Sequence, residues 1–493
     1  MFKKKVELIK AINYPKDIVD NPTFMFGQDN RVYRSLNNLF EAFWIYNKKE
    51  LYLVGGCVRD MLLNKQPKDY DLCTNATVDE VKEIVEKLGL KTFDSGIKHG
   101  TLTVIDDFFK MSYEITTYRI DGKYSDGRHP DDVIFTKSLE EDLKRRDFTI
   151  NSFAYNLLSN ELVMLDESFL DDLNMRIIRT VGDPAERYEE DALRMLRAIR
   201  FAAQLGFSIE TYTYKALSMC APLLKKISKE RIRDELTKIL LSDNPQMLEF
   251  ICVNGLEEQF FLEPYISNML NCDHQNPWHY TDVFHHTMDV VKRLPKEFNL
   301  RWAGLLHDIG KPRVKKLKEG TVDHYRYIGH SEESARIADI VMDTLKFSND
   351  QKDVIHKMVL FHDYPLSQCS DRKFKLKVVE IGEENFDNFI RLREADALAH
   401  KLVKSTDFAI DAVSKVKERY LKLMREKCPL RISDLAVNGD DLMNEFSIKG
   451  KTVGIVLKHL LDLVLDNPQM NTKERLFKHL HNTKDMMYTY LTN

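Results

Sequence analysis

The chain has 493 residues, of which 43% are hydrophobic and 30% are charged. This composition is typical of a globular protein and excludes extended disorder, and the length predicts about three domains. The formal net charge of -4 gives no global attraction to nucleic acid. An RNA partner would therefore have to be held by local patches of Lys and Arg.

The first residues, MFKKKVELIK, lack the apolar run of a signal peptide. The most apolar later stretch, 453–465, is interrupted by Lys458, His459 and Asp462, and it is shorter than the roughly 20 residues of a membrane span. Seven cysteines without a C-x-x-C pair indicate neither a disulfide framework nor a thiolate zinc site. We therefore expect a cytoplasmic protein with reduced thiols and no membrane partner.

The chain order of the predicted elements indicates two kinds of structure. From about residue 51 to 165, short β-rich runs (LYLVGG, GTLTVI, YEITTYRI, LVML) flank one helical stretch, VDEVKEIVEKLGL. After about Asp183 the pattern is helical: Asp183 and Pro184 begin a helix, and Gly206 ends the next one. The fold class is therefore an α+β head with a small mixed sheet, followed by all-α segments. We divide the chain into a head with an N-terminal helical extension, a helical neck and body, a second helical domain and a helical tail, at 1–165, 166–270, 271–427 and 428–493.

The segment LYLVGGCVRDMLLNKQPKDYDLCT carries the first group of candidate site residues. Gly55 and Gly56 follow a strand, and Arg59 lies at the start of a helix, a turn whose backbone amides suit a triphosphate. Asp69 and Asp71 are two residues apart, so in an extended strand both carboxylates face one side. Such a pair binds hard cations, and we expect Mg²⁺ there.

A third carboxylate is expected from a neighbouring strand. Glu114, in YEITTYR, fits best, and the alternative is Asp94 with the rest of its D-x-G-x-x-H-G run: Gly96, His99 and Gly100. Two cations held in this way would activate a hydroxyl group and stabilise a leaving pyrophosphate.

These residues resemble the signature of the bacterial-type tRNA nucleotidyltransferase and poly(A) polymerase family, and the resemblance continues to about residue 240. LKRRDFTINSFAYN is similar to the family's second motif, which implies triphosphate and ribose contacts by Arg145, Arg146, Asp147 and Asn151. EEDALRMLRAIRF is similar to its E-D-x-x-R motif, which implies that Asp191 and Arg194 select the base. RIRDEL resembles the family's last head and neck motif, with a structural role.

Asp191 and Arg194 are three residues apart, so on one helix they would share a face and present an acceptor beside donors. Cytosine and adenine each offer an exocyclic amine beside a ring-nitrogen acceptor, which this pair complements. Uracil and guanine present the wrong pattern.

Three further segments bear on which polymer is made. YRIDGKYSDGRHPDDV resembles the flexible loop of CCA-adding members, and the basic element typical of bacterial poly(A) polymerases is missing after the D-x-D strand. PLRISDLAVNGDDLMNEF and DNPQMNTKERL resemble the tail of CCA-adding enzymes of Gram-positive type, which implies tRNA binding there. The resemblance implies that CTP and ATP supply a CCA end to tRNA, and A addition or polyadenylation by the same fold is the alternative.

A second group of residues lies in the third segment. Four of its residues resemble the H…HD…D ligand set of the HD phosphohydrolase superfamily: His286, His307, Asp308 and Asp396. This resemblance implies a bound divalent metal, whose identity the ligand types do not specify. His330, with His356 or His362, matches positions that some HD domains use for a second metal or for phosphate, and Lys311 is placed to steady a phosphate. The resemblance implies phosphatase or 2',3'-cyclic phosphodiesterase activity, or a retained structural module. An HD hydrolase whose head only binds RNA is the alternative from a different class.

Overall fold

The structure, a computed structural model, describes residues 30–122, 133–274, 281–321, 325–400 and 403–483. The chain forms two compact units, residues 1–262 and 263–493. Their boundary lies near the junction at 270/271 that the sequence predicts, and the finer division into four parts stays a prediction. The centre of the loop predicted over 118–133, residues 123–132, lies outside the described residues, as do residues 1–29 of the N-terminal extension.

The first unit contains a seven-stranded mixed sheet. Its strands are β1 (Leu51–Val54), β2 (Tyr70–Thr74), β3 (Lys91–Gly96), β4 (Thr101–Asp106), β5 (Met111–Thr117), β8 (Phe153–Asn156) and β9 (Glu161–Met164). They lie in the order β3-β4-β5-β2-β1-β8-β9, and β2 and β5 are parallel whereas the other neighbours are antiparallel. A separate antiparallel ribbon consists of β6 (Arg119–Asp121) and β7 (Val133–Phe135). The predicted β-rich runs are therefore strands, and the α+β class is confirmed.

The head helices are α1 (Asn30–Asn47), α2 (Gly56–Leu62), α3 (Val78–Lys87) and α4 (Leu139–Lys144). Helix α3 begins with a capping box between Thr77 and Glu80, and its apolar stripe is buried in the main core. That core covers one face of the sheet, while Val54, Cys73 and Leu143 of α4 form a smaller cluster apart from it. Because side chains alternate along a strand, Asp71 lies on the same face as Cys73.

The helical part of the first unit follows the head. It contains α5 (Ser168–Asn174), α6 (Pro184–Glu190), α7 (Leu193–Leu205), α8 (Thr211–Cys220), α9 (Lys229–Leu240) and α10 (Glu249–Val253), with a parallel pair of short strands, β10 (Ile177–Ile178) and β11 (Ser208–Ile209). The predicted helix signals are confirmed. Asp183 caps α6 by accepting from the backbone N–H groups of Ala185 and Glu186, and Gly206 ends α7 in the left-handed conformation.

Where its residues are described, the second unit consists of helices, loops and one antiparallel ribbon, β12 (Lys316–Leu317) and β13 (Tyr325–Arg326). Its helices are α11 (Val283–Arg293), α12 (Phe298–Leu306), α13 (Lys311–Val314), α14 (His330–Thr344), α15 (Asn349–Phe361), α16 (Asp371–Ile381), α17 (Glu383–Ala399), α18 (Val403–Arg425), α19 (Gly439–Phe446), α20 (Lys451–Asp466) and α21 (Lys473–Asn482). Trp302, Phe386 and Phe389 are fully buried, and burial of each such side chain stabilises the fold by about 1.5–3 kcal/mol. The last three helices share their own small core, which includes Leu460 and Leu476.

No helix in the described part of the chain is both long and apolar enough to cross a membrane. No disulfide joins the seven cysteines, all of which lie within the described residues.

Candidate functional site

The carboxylates predicted in the head lie near one another at the start of β2. Asp71 lies in register with Glu114 on the adjacent parallel strand β5, so both side chains leave the same face, and both are exposed. Asp69 directly precedes β2 and is also exposed. Partial desolvation raises the pKa of Asp71, the carboxylates of Glu114 and Asp69 raise it further, and Arg146 opposes them. This crowding of negative charge fits divalent cations, which would relieve the repulsion.

Asp94, the alternative third carboxylate, does not join this group. Its neighbour Phe93 is in register with Thr103 on β4, which is in register with Glu114. The register of β3 with β4 shifts between Phe93 and Gly96, so alternation alone does not place Asp94. Its ion pair with Lys82 of α3 at 3.0 Å places it on the face that the main core covers.

The rest of the D-x-G-x-x-H-G run supports the β6–β7 ribbon. The carbonyl oxygen of His99 accepts a hydrogen bond from Nη1 of Arg119 on β6 at 2.6 Å. A Cβ atom at Gly100 would lie 2.5 Å from the Phe135 ring on β7. Gly96 begins the same short turn. This run therefore has a structural role, which its sequence did not reveal.

The glycine turn lies against the predicted triphosphate arginines. Gly55 has a φ of 72° and a ψ of -131° directly before α2, and a Cβ atom there would lie 3.1 Å from Nη1 of Arg146. Gly56 is the first residue of α2, and Arg59 on the same helix donates from Nη1 to Oδ1 of Asn151 at 2.7 Å. The turn, α2 and the second motif thus form one surface in the head.

A buried carboxylate that the sequence did not identify holds the two adjacent arginines. The Asp142 side chain has no exposed surface, and its two oxygens accept from Nη2 of Arg145 at 2.7 Å and from Nη2 of Arg146 at 3.1 Å. Burial would raise the pKa of Asp142, but the two guanidinium groups hold it below its ordinary value. In the sequence, Asp142 ends an acidic run at a helix start, a pattern more typical of a solvated helix terminus.

A second network connects the second motif to α7. Asn151 donates from Nδ2 to Oδ1 of Asp147 at 3.2 Å, and Nε of Arg197 donates to the other Asp147 oxygen at 2.8 Å. Burial opposes ionisation of Asp147, but Arg197 lowers its pKa to about 2. Arg197 was also missed by sequence analysis, although its three-residue spacing from Arg194 could have indicated a shared helix face.

The prediction that Asp191 and Arg194 lie on one helix face is wrong. Asp191 lies in the break between α6 and α7 with an extended backbone, whereas Arg194 is the second residue of α7. Oδ2 of Asp191 accepts from Nη2 of Arg231 at 3.0 Å, which gives the RIRDEL motif a contact with the candidate base-selecting residue. Arg194 is buried, pairs with Glu190, and donates to the carbonyl oxygen of Arg145 at 3.0 Å.

The HD-type residues of the second unit converge from several helices. His286 lies on α11, His307 and Asp308 directly follow α12, and Asp396 lies on α17. Nε2 of His286 lies 3.0 Å from Oδ1 of Asp396, and Nε2 of His307 lies 3.8 Å from the same oxygen. The ligand atoms of His286, His307 and Asp396 lie within 4.8 Å of one another, as those around a metal ion would.

A second group of three adjoins the first. The ligand atoms of Asp308, His330 and His362 also lie within 4.8 Å of one another. Oδ1 of Asp308 is 3.6 Å from Nε2 of both histidines, and its Oδ2 is 3.2 Å from Nε2 of His307. Asp308 therefore lies between the two groups. His356, the alternative to His362, instead contacts Asp339 through Nδ1 at 2.9 Å.

The histidine rings are oriented as metal ligands are. The Nδ1 atoms of His307, His330 and His362 lie 2.8, 2.9 and 2.7 Å from backbone carbonyl oxygens. A carbonyl only accepts, so Nδ1 carries the proton and Nε2 faces the cluster. Nε2 of His330 and Nε2 of His362 are 3.1 Å apart, and burial together with His362 lowers the pKa of His330 to about 4. Imidazole nitrogens that face carboxylates fit a pair of divalent cations.

Gly310 explains how the two groups are brought together. A Cβ atom there would lie 2.5 Å from the backbone nitrogen of Ser334 and 2.9 Å from the carbonyl oxygen of His330. Only glycine lets the start of α14 approach the chain after Asp308 so closely. Lys311 follows, with Nζ 2.6 Å from Oδ2 of Asp308.

Comparison with family models gives matches along most of the chain. Residues 51–179 match the poly A polymerase head domain, and residues 206–270 match the probable RNA and SrmB-binding site of polymerase A. Residues 283–339 match the HD domain, and residues 328–480 match the putative domain 2 of tRNA nucleotidyltransferase.

Curated relatives extend the likeness over nearly the whole length. The CCA-adding enzyme of Ligilactobacillus salivarius is 33% identical over 434 residues, which are 87% of this chain and 91% of that protein. The CCA-adding enzyme of Leuconostoc mesenteroides is 36% identical over 341 residues, 65% of this chain and 80% of that protein.

Solved structures agree with this match. The Bacillus stearothermophilus CCA-adding enzyme in complex with CTP is 26% identical with a TM-score of 0.68, and the match covers 93% of this chain and 99% of that one. The Thermotoga maritima CCA-adding enzyme complexed with tRNA is 20% identical with a TM-score of 0.57, over 95% and 98% of the two chains, and supports the fold alone. Together with the paired carboxylates and the HD cluster, these likenesses show that the chain belongs to the bacterial-type CCA-adding enzyme family and carries an HD domain.

Proposed function

We propose that this protein builds or repairs the 3'-terminal CCA of tRNA from CTP and ATP without a nucleic-acid template. The observation that carries this proposal is the pairing of Asp71 with Glu114 across parallel strands, beside Arg146 and the glycine turn. The 3'-hydroxyl oxygen of the tRNA forms a bond to the α-phosphorus of the nucleotide. The bond from that phosphorus to the oxygen that joins it to the β-phosphorus breaks, and pyrophosphate leaves. Polyadenylation and A-only addition are the less favoured alternatives.

The chain's own residues supply binding and orientation in this reaction. Asp69, Asp71 and Glu114 would hold divalent cations, for which we propose Mg²⁺. Mg²⁺ in such a site lowers the pKa of the attacking hydroxyl and stabilises charge on the leaving group. Triphosphate oxygens would contact the residues already gathered on one surface: Gly55, Gly56, Arg59, Arg145 and Arg146. Asp147 and Asn151 would keep Arg59 aligned with that surface.

Base selection would use Asp191 and Arg194 after a local rearrangement. In the structure, Asp191 contacts Arg231, and Arg194 contacts Glu190 and backbone carbonyl oxygens. An incoming cytosine or adenine would exchange these contacts for its amine and ring nitrogen. Because the carboxylate accepts and the guanidinium donates, the pair would reject uracil and guanine.

The test is a stepwise incorporation assay. Purified protein with Mg²⁺ and labelled CTP or ATP is given tRNAs that lack the last three, two or one nucleotides. We expect C, C and A to be added in order, after which addition stops. ATP use only on the CC-ended tRNA would instead identify an A-adding enzyme, and long A tails would identify a poly(A) polymerase.

Matched variants separate the catalytic carboxylates from other acidic residues of the sheet. Asp71→Asn and Glu114→Gln should each lower incorporation by at least about a hundredfold, the loss expected when a cation ligand is removed. Asp94→Asn changes an acidic side chain that leaves the other face of the sheet, and it should retain activity. Equal loss in all three variants would contradict the proposed ligand set.

We also propose that the HD domain is a two-cation phosphohydrolase acting on phosphate esters, with 2',3'-cyclic phosphate ends as the expected class. The support is two adjoining groups of three candidate ligands with Asp308 between them, all buried or partly buried. Two divalent cations held by these residues would polarise a phosphoryl group and activate water. We further propose a cytoplasmic location, where cysteines that form no disulfide would stay reduced.

Metal content tests the HD proposal directly. Elemental analysis of protein loaded with Mn²⁺ should give two equivalents in the HD domain of wild type, and a loss of about one equivalent in His362→Gln. The control is His356→Gln, because the His356 side chain contacts Asp339 and not the candidate ligands of the two groups described above. This variant should bind as much metal as wild type. Wild type that binds no metal at this site would exclude the phosphohydrolase.

A further inference from the structure

One buried lysine and one buried histidine adjoin the HD cluster without belonging to either group of ligands. Nζ of Lys311 lies 2.6 Å from Oδ2 of Asp308 and 3.4 Å from Nε2 of His274. The exposed fractions are 8% for Lys311 and 1% for His274. His274 precedes the first HD ligand in the chain and lies in the run DHQNPWHY.

The position of His274 is fixed by several contacts. Its Nδ1 atom lies 2.8 Å from the carbonyl oxygen of Thr281. The Tyr327 hydroxyl donates to the carbonyl oxygens of Asp273 and His274 at 3.0 and 3.1 Å, and Nζ of Lys315 donates to that of Asp273 at 2.7 Å. These contacts hold the backbone at residues 273 and 274 and orient the His274 ring, so the position of its Nε2 atom is fixed.

These contacts also determine which nitrogen of His274 carries the proton. The carbonyl of Thr281 can only accept, so Nδ1 is the donor, and the neutral ring presents the Nε2 lone pair to the Lys311 ammonium. Tyr327 completes the surroundings, with its ring centroid 5.8 Å from Nζ of Lys311. The lysine is thus held between a neutral acceptor, an aromatic ring and the shared carboxylate.

We propose that His274 is the positioning residue that holds the Lys311 ammonium beside the two-cation cluster. This rests on the proposed phosphohydrolase function and on the expectation from the sequence that Lys311 steadies a phosphate. With a divalent cation held at Asp308, Lys311 would donate to a phosphoryl oxygen instead of to Oδ2 of Asp308. His274 would retain the other side of the ammonium and keep the lysine from turning toward solvent.

The first experiment needs no metal and no turnover. Wild type, His274→Phe and His274→Gln are treated with limiting acetic anhydride, and acetylation of Lys311 is measured by mass spectrometry against that of exposed Lys318. Loss of the acceptor in His274→Phe should raise relative acetylation of Lys311 at least fivefold. His274→Gln, whose amide oxygen can replace Nε2, should restore the wild-type rate. Equal rates in all three proteins, with unchanged melting temperatures, would overturn the positioning role.

The second experiment tests the ligand. Inorganic phosphate is titrated into Mn²⁺-loaded wild type, Lys311→Met and the control His356→Phe, with metal content measured in each. Lys311→Met should weaken phosphate binding about tenfold at equal metal content, the effect of one lost charge-assisted hydrogen bond. An unchanged dissociation constant would overturn phosphate binding at Lys311. If wild type binds no metal, both the phosphohydrolase function and phosphate binding at Lys311 are overturned. The acetylation experiment still decides whether His274 positions Lys311.

Discussion

Two buried carboxylates set the positions of the arginines on the triphosphate side of the head. Asp142 holds Arg145 and Arg146, and Asp147 holds Arg197. A flexible arginine that is already oriented loses less side-chain entropy when phosphate binds. At the scale of single residues, we therefore expect the acidic partners to be as important to nucleotide binding as the basic residues of the motif.

Asp142→Asn should lower kcat/KM for CTP and for ATP by about ten- to a hundredfold, the equivalent of one or two charge-assisted hydrogen bonds. The asparagine amide group places donors against a guanidinium, and one of the two arginines loses its orientation. Steady-state incorporation on tRNA lacking its last nucleotides measures the effect.

The matched control is Glu140→Gln on the same helix, whose exposed side chain pairs only with Lys144 among the described residues. It should leave both nucleotide constants within twofold of wild type. A similar loss in both variants would mean that the charge of α4, and not the orientation of the arginines, is responsible.

Asp147 makes stability depend on pH in a defined window. Arg197 lowers the folded-state pKa to about 2 from the ordinary 3.8, so the stabilisation is complete above about pH 4 and is lost as pH falls toward 2. The difference corresponds to about 2 kcal/mol of the free energy of unfolding at pH 6. Asp147→Asn should show this deficit at pH 6 and about half of it at pH 3 in urea unfolding curves. A deficit that does not change with pH would exclude the ion pair as its cause.

At the scale of elements, the glycine turn between β1 and α2 combines a backbone requirement with a contact. Gly55 adopts a conformation that side-chain-bearing residues rarely adopt, and its missing Cβ leaves room for Arg146. The turn therefore needs glycine both for its own geometry and for the arginine that lies on it.

Gly55→Ala should destabilise the head by about 1–3 kcal/mol through strain and should also raise KM for CTP and ATP by displacing Arg146. Gly89→Ala provides the control, because Gly89 has a φ of 69° and open space where a Cβ would be. It should lose stability without a change in KM. Thermal unfolding and nucleotide kinetics on both variants separate strain from contact, and a raised KM in Gly89→Ala would contradict this assignment.

For the whole molecule, each ligand should stabilise the unit that binds it. We expect Mn²⁺ to slow amide exchange at the helix ends that carry the HD ligands, including α12, α14 and α15, and EDTA to reverse this. CTP with Mg²⁺ should instead slow exchange in β2, β5 and the turn before α2. Hydrogen–deuterium exchange with mass spectrometry measures both effects. If Mn²⁺ does not slow exchange in a His307→Ala, Asp308→Ala protein, the effect in wild type comes from the cluster. If Mn²⁺ gives that variant the same protection, the ion binds elsewhere.

The sequence alone predicted the features that depend on short range. Asp71 lies in a predicted strand with Asp69 directly before it, and Asp183 and Gly206 delimit helices because their side chain or its absence acts on adjacent backbone. The motif resemblance added the family, which the comparisons show, and four candidate HD ligands, which lie close to one another in the structure.

Only the tertiary structure decided which residues meet across the chain. The sequence favoured Glu114 over Asp94 without excluding Asp94, and it did not distinguish His362 from His356. The register of β2 with β5 and the approach of α15 to Asp308 decide both cases. The same is true of Asp191, which a helix period placed beside Arg194 although the helix breaks between them. Partners such as Asp142 and His274 were unpredictable because burial, which gives a charge or a ring its role, arises from packing between segments distant in sequence.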